Sequence, residues 1–275
     1  MSGILTACVV LAVLGAVLGL LIGFTARRFA VEKDPRVEEI LSLLPGANCG
    51  GCGFAGCADC ARAMAEGTAE PSACSAASDE SVEQIGKVLG QESAKKIRKV
   101  AVVYCSGDRN HAGNVALYNG LNDCRAAAAY GGGKGCRFGC IGLGSCARAC
   151  PFGAIEMKNG LALVRPDLCR GCGCCVEICP RKLIHLVPAS SRVHIYCNSL
   201  DKVPLKRKNC SVACISCRKC VRYAPDQFNS QGFLVRCHEE NTLTESDLAQ
   251  INCPAGILRT GEQHRDFCLG KDENV

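Results

Sequence analysis

The sequence predicts an α+β chain led by a membrane-spanning helix, and three observations predict it. No charged residue occurs from Met1 to Ala26, 25 cysteines stand among the 275 residues, mostly in recurring loops, and short apolar pairs of strand length lie between those loops.

The apolar segment Ile4 to Phe24, ILTACVVLAVLGAVLGLLIGF, has 21 residues. As a helix it spans about 31 Å, against a hydrocarbon core of roughly 30 Å. Its start lacks the basic residues of a signal peptide, and no small-residue cleavage site precedes Arg27, so residues 1–26 are expected to remain as an anchor. Arg27, Arg28 and Lys33 follow directly. The positive-inside tendency then places the bulk of the chain in the cytoplasm, as a single-pass protein of the cell (inner) membrane. Cys8 serves within the span as a small apolar residue. Gly15, Gly19 and Gly23 recur every fourth residue, which either admits close approach of another membrane helix or is ordinary small-residue usage.

A cysteine density this high means a disulfide scaffold or bound metal. Disulfides suit short secreted chains; this chain is long, has an odd cysteine count and groups its cysteines in metal-loop spacing. The formal charge is +6. Four [4Fe–4S]2+ groups with their thiolates would add about −8, leaving about −2, so the basic balance is no sign of nucleic acid. With 5 Tyr, 8 Phe and no Trp, little is available to stack bases, and no nucleic-acid partner is expected.

Between the anchor and the cysteine loops, DPRVEEILSLL from Asp34 sets Pro35 at a helix start and Val37, Ile40, Leu41 and Leu44 at helical spacing. DESVEQIGKVLGQESAKKIRK, residues 79–99, reads as an amphipathic helix, and VAVVY at 100–104 as a buried strand. Beyond Cys136 the chain repeats a pattern of cysteine loop, apolar pair and loop ending in Cys-Pro. In the first copy AIEM and LALV flank the hairpin signal Asn159-Gly160; FNSQGFLV plays that part in the second.

The most specific signal is CRGCGCCVEICP, a C-x2-C-x2-C-x3-C-P run of Cys169, Cys172, Cys175 and Cys179. Its matching loop, CRFGCIGLGSCARACP, carries Cys136, Cys140, Cys146 and Cys150 at wider spacing. In two-cluster ferredoxins the cysteine before proline ligates the other cluster. The sets are then Cys136, Cys140, Cys146 and Cys179 for one cluster, and Cys169, Cys172, Cys175 and Cys150 for its partner. The second copy has Cys214, Cys217 and Cys220 but Ala224 where the fourth cysteine belongs, and its other loop is reduced to Cys237 and Cys253. It keeps one cluster on Cys214, Cys217, Cys220 and Cys253 and has lost the other.

Near the anchor, Cys49, Cys52, Cys57 and Cys74 match a further [4Fe–4S] module, with a zinc site as the alternative. Cys105, Cys124, Cys197 and Cys210 form a tentative extra set, or are unligated buried thiols. Cys8, Cys60, Cys174, Cys237 and Cys268 have no place in this map. Four [4Fe–4S] clusters are expected, with a fifth open. GGGKG at 131–135 lacks P-loop spacing, and the five histidines form no metal-binding pair.

The expected architecture is therefore an N-terminal transmembrane helix (1–26), a small Cys-rich [4Fe–4S] module (27–90), a linking segment (91–135) and two ferredoxin-like units of the 2[4Fe–4S] type (136–190 and 191–260). The second unit is degenerate, and a tail (261–275) follows.

In this order of features, the membrane helix, NCGGCGFAGC, CRFGCIGLGSCARACPFGAI and a second ferredoxin copy, the chain resembles the B-subunits of the Rnf ion-translocating ferredoxin:NAD+ oxidoreductases. The resemblance implies an electron-transfer component of a membrane complex. Such a component takes electrons from soluble reduced ferredoxin and passes them to other membrane subunits, ultimately to NAD+, coupled to Na+ or H+ transport. The alternative is a membrane-anchored polyferredoxin adaptor serving another dehydrogenase or hydrogenase. Longer family members keep full cysteine runs in the second copy, so cluster number does not carry over. No nucleotide fingerprint is present, which assigns NAD+ and flavin to partner subunits.

Overall fold

The computed structural model describes residues 2–28, 34–91 and 97–271. Lys33, and the 92–96 part of the stretch read as helical, lie outside the described residues.

Helix α1 (Ser2–Arg28) contains Gly3–Thr25, 23 residues long and apolar enough to cross a membrane, with none of it buried against the rest of the chain. Arg27 and Arg28 occupy its last turn, where the negative end of the helix dipole favours cations. Helix α2 (Pro35–Leu43) starts at Asp34, whose carboxylate accepts the Arg36 N–H at 2.9 Å. Helices α3 (Cys57–Ala65) and α4 (Asp79–Leu89) complete a small helical module. Its core is Ile40, Met64 and Ile85, each 0% exposed, and burying each stabilises the module by about 1.5–3 kcal/mol. Gly90, at φ 64°, ends α4 well before Lys99. The helix expected to reach residue 99 thus stops at a left-handed cap, and Lys99 opens a strand instead.

Two β units of like topology follow. The first comprises β1 (Lys99–Val103), α5 (Cys124–Ala129), α6 (Ser145–Arg148), β2 (Ile155–Lys158), β3 (Leu161–Val164), α7 (Cys174–Ile178) and β4 (Ile184–Pro188). Its end strands pair antiparallel, Val100 opposite Val187, and β2 and β3 form an inner hairpin. Asn159 at φ 44° and Gly160 at φ 73° turn that hairpin. Two successive left-handed residues give the tight turn whose twist suits the strands.

The second unit comprises β5 (Val193–Ile195), α8 (Val203–Asn209), α9 (Lys219–Tyr223), β6 (Phe228–Gln231), β7 (Leu234–Cys237), α10 (Glu245–Ile251) and β8 (Leu258–Thr260). Again the end strands pair, β5 with β8, around an inner hairpin, β6 with β7. Helix α11 (Gly261–Leu269) occupies what was expected to be a tail, stacking His264 on Tyr196 at 3.6 Å between ring centroids.

The units differ after the inner hairpin. Where the first unit carries Cys169, Cys172 and Cys175, the second carries α10, with Leu243, Leu248 and Ile251 in its apolar core. A Thr244–Asp247 capping box starts α10, and the Tyr223 hydroxyl donates to Asp247 at 2.8 Å and to Gln250 at 2.9 Å, fastening it to α9. Hydrocarbon thus stands in the second unit where the first has three cysteines.

The helical module leans on the first β unit. Phe152 packs against the module's core, and Gly51 lies so close to the Cys172 backbone that a Cβ would come within 2.1 Å of its carbonyl oxygen.

Candidate metal centres

None of the 25 cysteines is in a disulfide. Most of their thiols gather instead in a few local groups. In the first β unit, Cys150, Cys169, Cys172 and Cys175 line one cavity. Backbone N–H groups point at two of these sulfurs, Ala101 at Cys169 and Ala154 at Cys150, both at 3.4 Å. These are the residues that the exchange of Cys-Pro partners joins.

A second cavity is lined by Cys140, Cys146 and Cys179, and by Cys124 rather than Cys136. The reason is local. Asp123 caps α5 and accepts from the Ser145 hydroxyl at 3.0 Å, while the Cys124 N–H donates to Ser145 at 2.8 Å, so the start of α5 is pinned to the start of α6. Cys136 is drawn the other way. Gly135 donates to the Gly113 carbonyl at 2.8 Å, and Arg137 reaches Asp201 at 3.0 Å, facing that stretch toward the second unit. There a third cavity is lined by Cys105, Cys136, Cys197 and Cys210. The widened x3 and x5 spacing of this loop is what lets its first cysteine leave the other two.

In the second unit Cys220 faces Cys214, Cys253 and Cys217, and the Ser216 N–H donates to Cys214 Sγ at 3.4 Å. Cys217 is exposed. In the helical module Asn48, itself at φ 46°, accepts the Cys57 N–H at 2.8 Å and so sets the start of α3. The buried Cys60, 1% exposed, faces Cys52, Cys74 and Cys57. Cys49 lies on the outer side of its loop, where its carbonyl accepts from the Cys174 thiol at 3.4 Å and its own thiol neighbours Cys172. The spacing argument gave Cys60 no role, although its place one turn after Cys57 on α3 puts it on the same helix face.

Burial pushes these thiols up: Cys60, Cys140, Cys172, Cys175 and Cys210 to about 12, and Cys146, Cys197 and Cys220 to about 11. Uncompensated thiolates are costly there, and a bound metal reverses this because coordination deprotonates a thiol outright. Among the described residues no group of three or more His, Cys, Asp or Glu side chains is placed to hold a single metal ion. Thiols ringing a void suit a multi-atom iron–sulfur group better than a zinc ion, whose four thiolates would crowd to about 2.3 Å from one centre. The donor set, all sulfur with N–H groups aimed at it, fits such a group.

The groups adjoin one another. Cys49 neighbours Cys172, Cys175 neighbours Cys146, the Cys140 N–H donates to Cys105 Sγ at 3.4 Å, and Cys197 neighbours Cys214.

Residues 44–76 match the family described as "Putative Fe-S cluster", and residues 137–180 match the 4Fe-4S dicluster domain. The chain is 41% identical over 216 residues to the B-subunit of the Na+-translocating ferredoxin:NAD+ oxidoreductase complex of Acetobacterium woodii; the match covers 78% of this chain and 65% of that protein. It is 38% identical over 226 residues to the B-subunit of the ion-translocating oxidoreductase complex of Methanosarcina acetivorans, covering 82% of this chain and 86% of that protein. It is 35% identical over 217 residues to the B-subunit of the proton-translocating ferredoxin:NAD+ oxidoreductase complex of Clostridium ljungdahlii, covering 78% of this chain and 76% of that protein. With its cysteine loops matched to iron–sulfur families and its length aligned to these proteins, the chain belongs to the B-subunit family of the Rnf ion-translocating oxidoreductase complexes.

Proposed function

We propose that this chain is the membrane-anchored electron relay of such a complex, accepting electrons from reduced ferredoxin and delivering them to membrane subunits and ultimately NAD+, coupled to Na+ or H+ transport. The observation that carries this reading is the end-to-end adjacency of the thiol groups, from the module that follows α1 to the exposed Cys217.

In this reading the two β units are ferredoxin-like, the second degenerate. Cys49, Cys52, Cys57 and Cys74 hold one [4Fe–4S] cluster, Cys150, Cys169, Cys172 and Cys175 a second, Cys140, Cys146 and Cys179 the core of a third, and Cys214, Cys217, Cys220 and Cys253 a fourth. When bound, these groups supply one-electron redox capacity. The protein supplies the rest. Ala101, Ala154 and Ser216 N–H groups offset thiolate charge, which raises the potential of the group they face. Leu161, Leu183 and Ile184, each no more than 2% exposed, wall the first unit against water. Exposed Arg218, Lys219 and Arg222 surround Cys217, a cationic rim suited to an acidic donor and favouring entry at the second unit. Delivery is then at the membrane end. Helix α2 begins seven residues after α1 ends, so the tether reaches at most about 25 Å and holds the Cys49 module near the bilayer, with the bulk of the chain cytoplasmic.

The test mixes the anaerobically purified full chain with reduced ferredoxin in a stopped-flow spectrometer. Visible cluster absorption bleaches, Arg218→Glu/Lys219→Glu slows this most at low salt, and no NADH forms without partner subunits. Absence of bleaching by reduced ferredoxin refutes the reading.

A further inference from the structure

We propose that Cys105, Cys136, Cys197 and Cys210 hold a fifth [4Fe–4S] cluster shared between the two β units, and that Cys124 replaces Cys136 as the fourth ligand of the cluster on Cys140, Cys146 and Cys179. The proposal deepens the relay reading and rests on it.

Three independent observations carry it. The first is convergence: all four thiols line one void, and the thiol of Cys210 faces those of Cys105, Cys197 and Cys136. Gly107 runs between two of them, where a Cβ would meet Cys210 Sγ at 3.2 Å and Cys105 Sγ at 3.9 Å.

The second is internal symmetry. Tyr104-Cys105 follows β1 and Tyr196-Cys197 follows β5 in the same way. Each tyrosine N–H donates to the residue before the closing strand, Tyr104 to Leu183 and Tyr196 to Ile257, and each cysteine N–H turns back two residues, to Val103 and to Ile195. Cys136 stands four residues before Cys140, and Cys210 four before Cys214. The N–H of Cys140 donates to Cys105 Sγ, and that of Cys214 to Cys197. Each unit thus contributes the same two positions. A four-thiolate site between two repeats is what this duplication builds, whereas chance burial of leftover cysteines would not pair them by position.

The third is charge. Lys134, 6% exposed, and Lys206, 2% exposed, line this void, donating to the carbonyls of Gly107 and Phe233, and neither is in an ion pair among the described residues. Buried ammonium groups without an anion are costly. A cluster with four thiolates carries about −2 and balances both.

The site lies between the Cys140 and Cys214 groups, on the line of neighbouring thiols that the relay reading follows. The test counts iron and acid-labile sulfide, with electron paramagnetic resonance, on the full chain in detergent. Five cubanes give about twenty irons per chain. Cys197→Ala/Cys210→Ala is expected to lose about four irons and one reduced-cluster signal, and Cys237→Ala none. Cys136→Ala/Cys197→Ala is also expected to lose only about four, because both residues serve one site; a loss of about eight overturns the ligand exchange. A [3Fe–4S] signal from Cys124→Ala supports Cys124 as a ligand, and wild-type spectra in that variant overturn it. Wild-type iron content in Cys197→Ala/Cys210→Ala overturns the fifth site while leaving the other four clusters standing; a wild-type chain that holds zinc instead of iron overturns both. Should the double variant misfold, Lys206→Met serves instead. It is expected to lower the potential of a single cluster, and a set of unchanged potentials counts against the site.

Discussion

Gly51→Ala tests whether electrons cross from the first β unit to the helical module at the Cys172 loop. A Cβ at residue 51 would lie 2.1 Å from the Cys172 carbonyl oxygen and 2.9 Å from its carbon, where ordinary contact begins at 3.4 Å. Both partners are backbone, so neither can rotate away, and the loops must part by about 1.3 Å. Overpacking of this kind costs about 1–3 kcal/mol. The backbone of Gly51 is not left-handed, so the contact is the whole of the cost. Gly53→Ala is the control: at φ 86° it carries roughly 1–2 kcal/mol of backbone strain, but its Cβ would meet nothing. Iron content should be unchanged in both variants, because no thiol is touched. Electron paramagnetic resonance of the fully reduced chain should show weaker spin coupling between the two adjoining clusters in Gly51→Ala only. Wild-type coupling in Gly51→Ala, with its fold intact by circular dichroism, would refute the placement of the crossing.

Three further predictions concern single positions. Cys60→Ala should keep all clusters while Cys49→Ala loses one, by iron count; the opposite pattern would make Cys60, which faces Cys52, Cys57 and Cys74, the ligand. Ala224→Cys should add no iron, because Leu243, Leu248 and Ile251 fill the second site of that unit; a gain of about four irons would show that α10 yields. His194 is buried between Tyr104 and Tyr196, and burial lowers it to about 4. Below the unfolded value near 6.5 the unfolded chain binds a proton that the folded chain refuses, so stability present above that value is lost as pH falls toward 4. Between about pH 7 and 5.5 this amounts to roughly 1 kcal/mol, read from urea midpoints, and His194→Phe should remove that part of the pH dependence.

The sequence by itself determined the chemistry. An uncharged apolar run long enough to span a bilayer, Cys-x2-Cys loops ending in Cys-Pro, an Asn-Gly hairpin and Asp34 before Pro35 are local signals, because each depends on residues within a few positions of one another. They located the apolar helix α1, the first helix after it and both hairpins, placed at 100–104 a strand that forms at Lys99–Val103, and singled out Ala224 where a fourth cysteine is expected. They overran α4, since a left-handed glycine cap ends it within an amphipathic pattern that continues on paper.

Only the tertiary structure decided which thiols share a void. Spacing rules presume that cysteines close in sequence converge, but the widened loop sends Cys136 toward Cys197 and Cys210, while Ser145 draws Cys124 in beside Cys146. Those partners lie as far as 74 residues apart, from Cys136 to Cys210, and meet because β1–β4 and β5–β8 fold as matching units set against each other. Distance along the chain carries no information about such a meeting. Nor could it show that Lys134 and Lys206 are buried beside the same sulfurs, since a lysine in sequence is by default a solvated one.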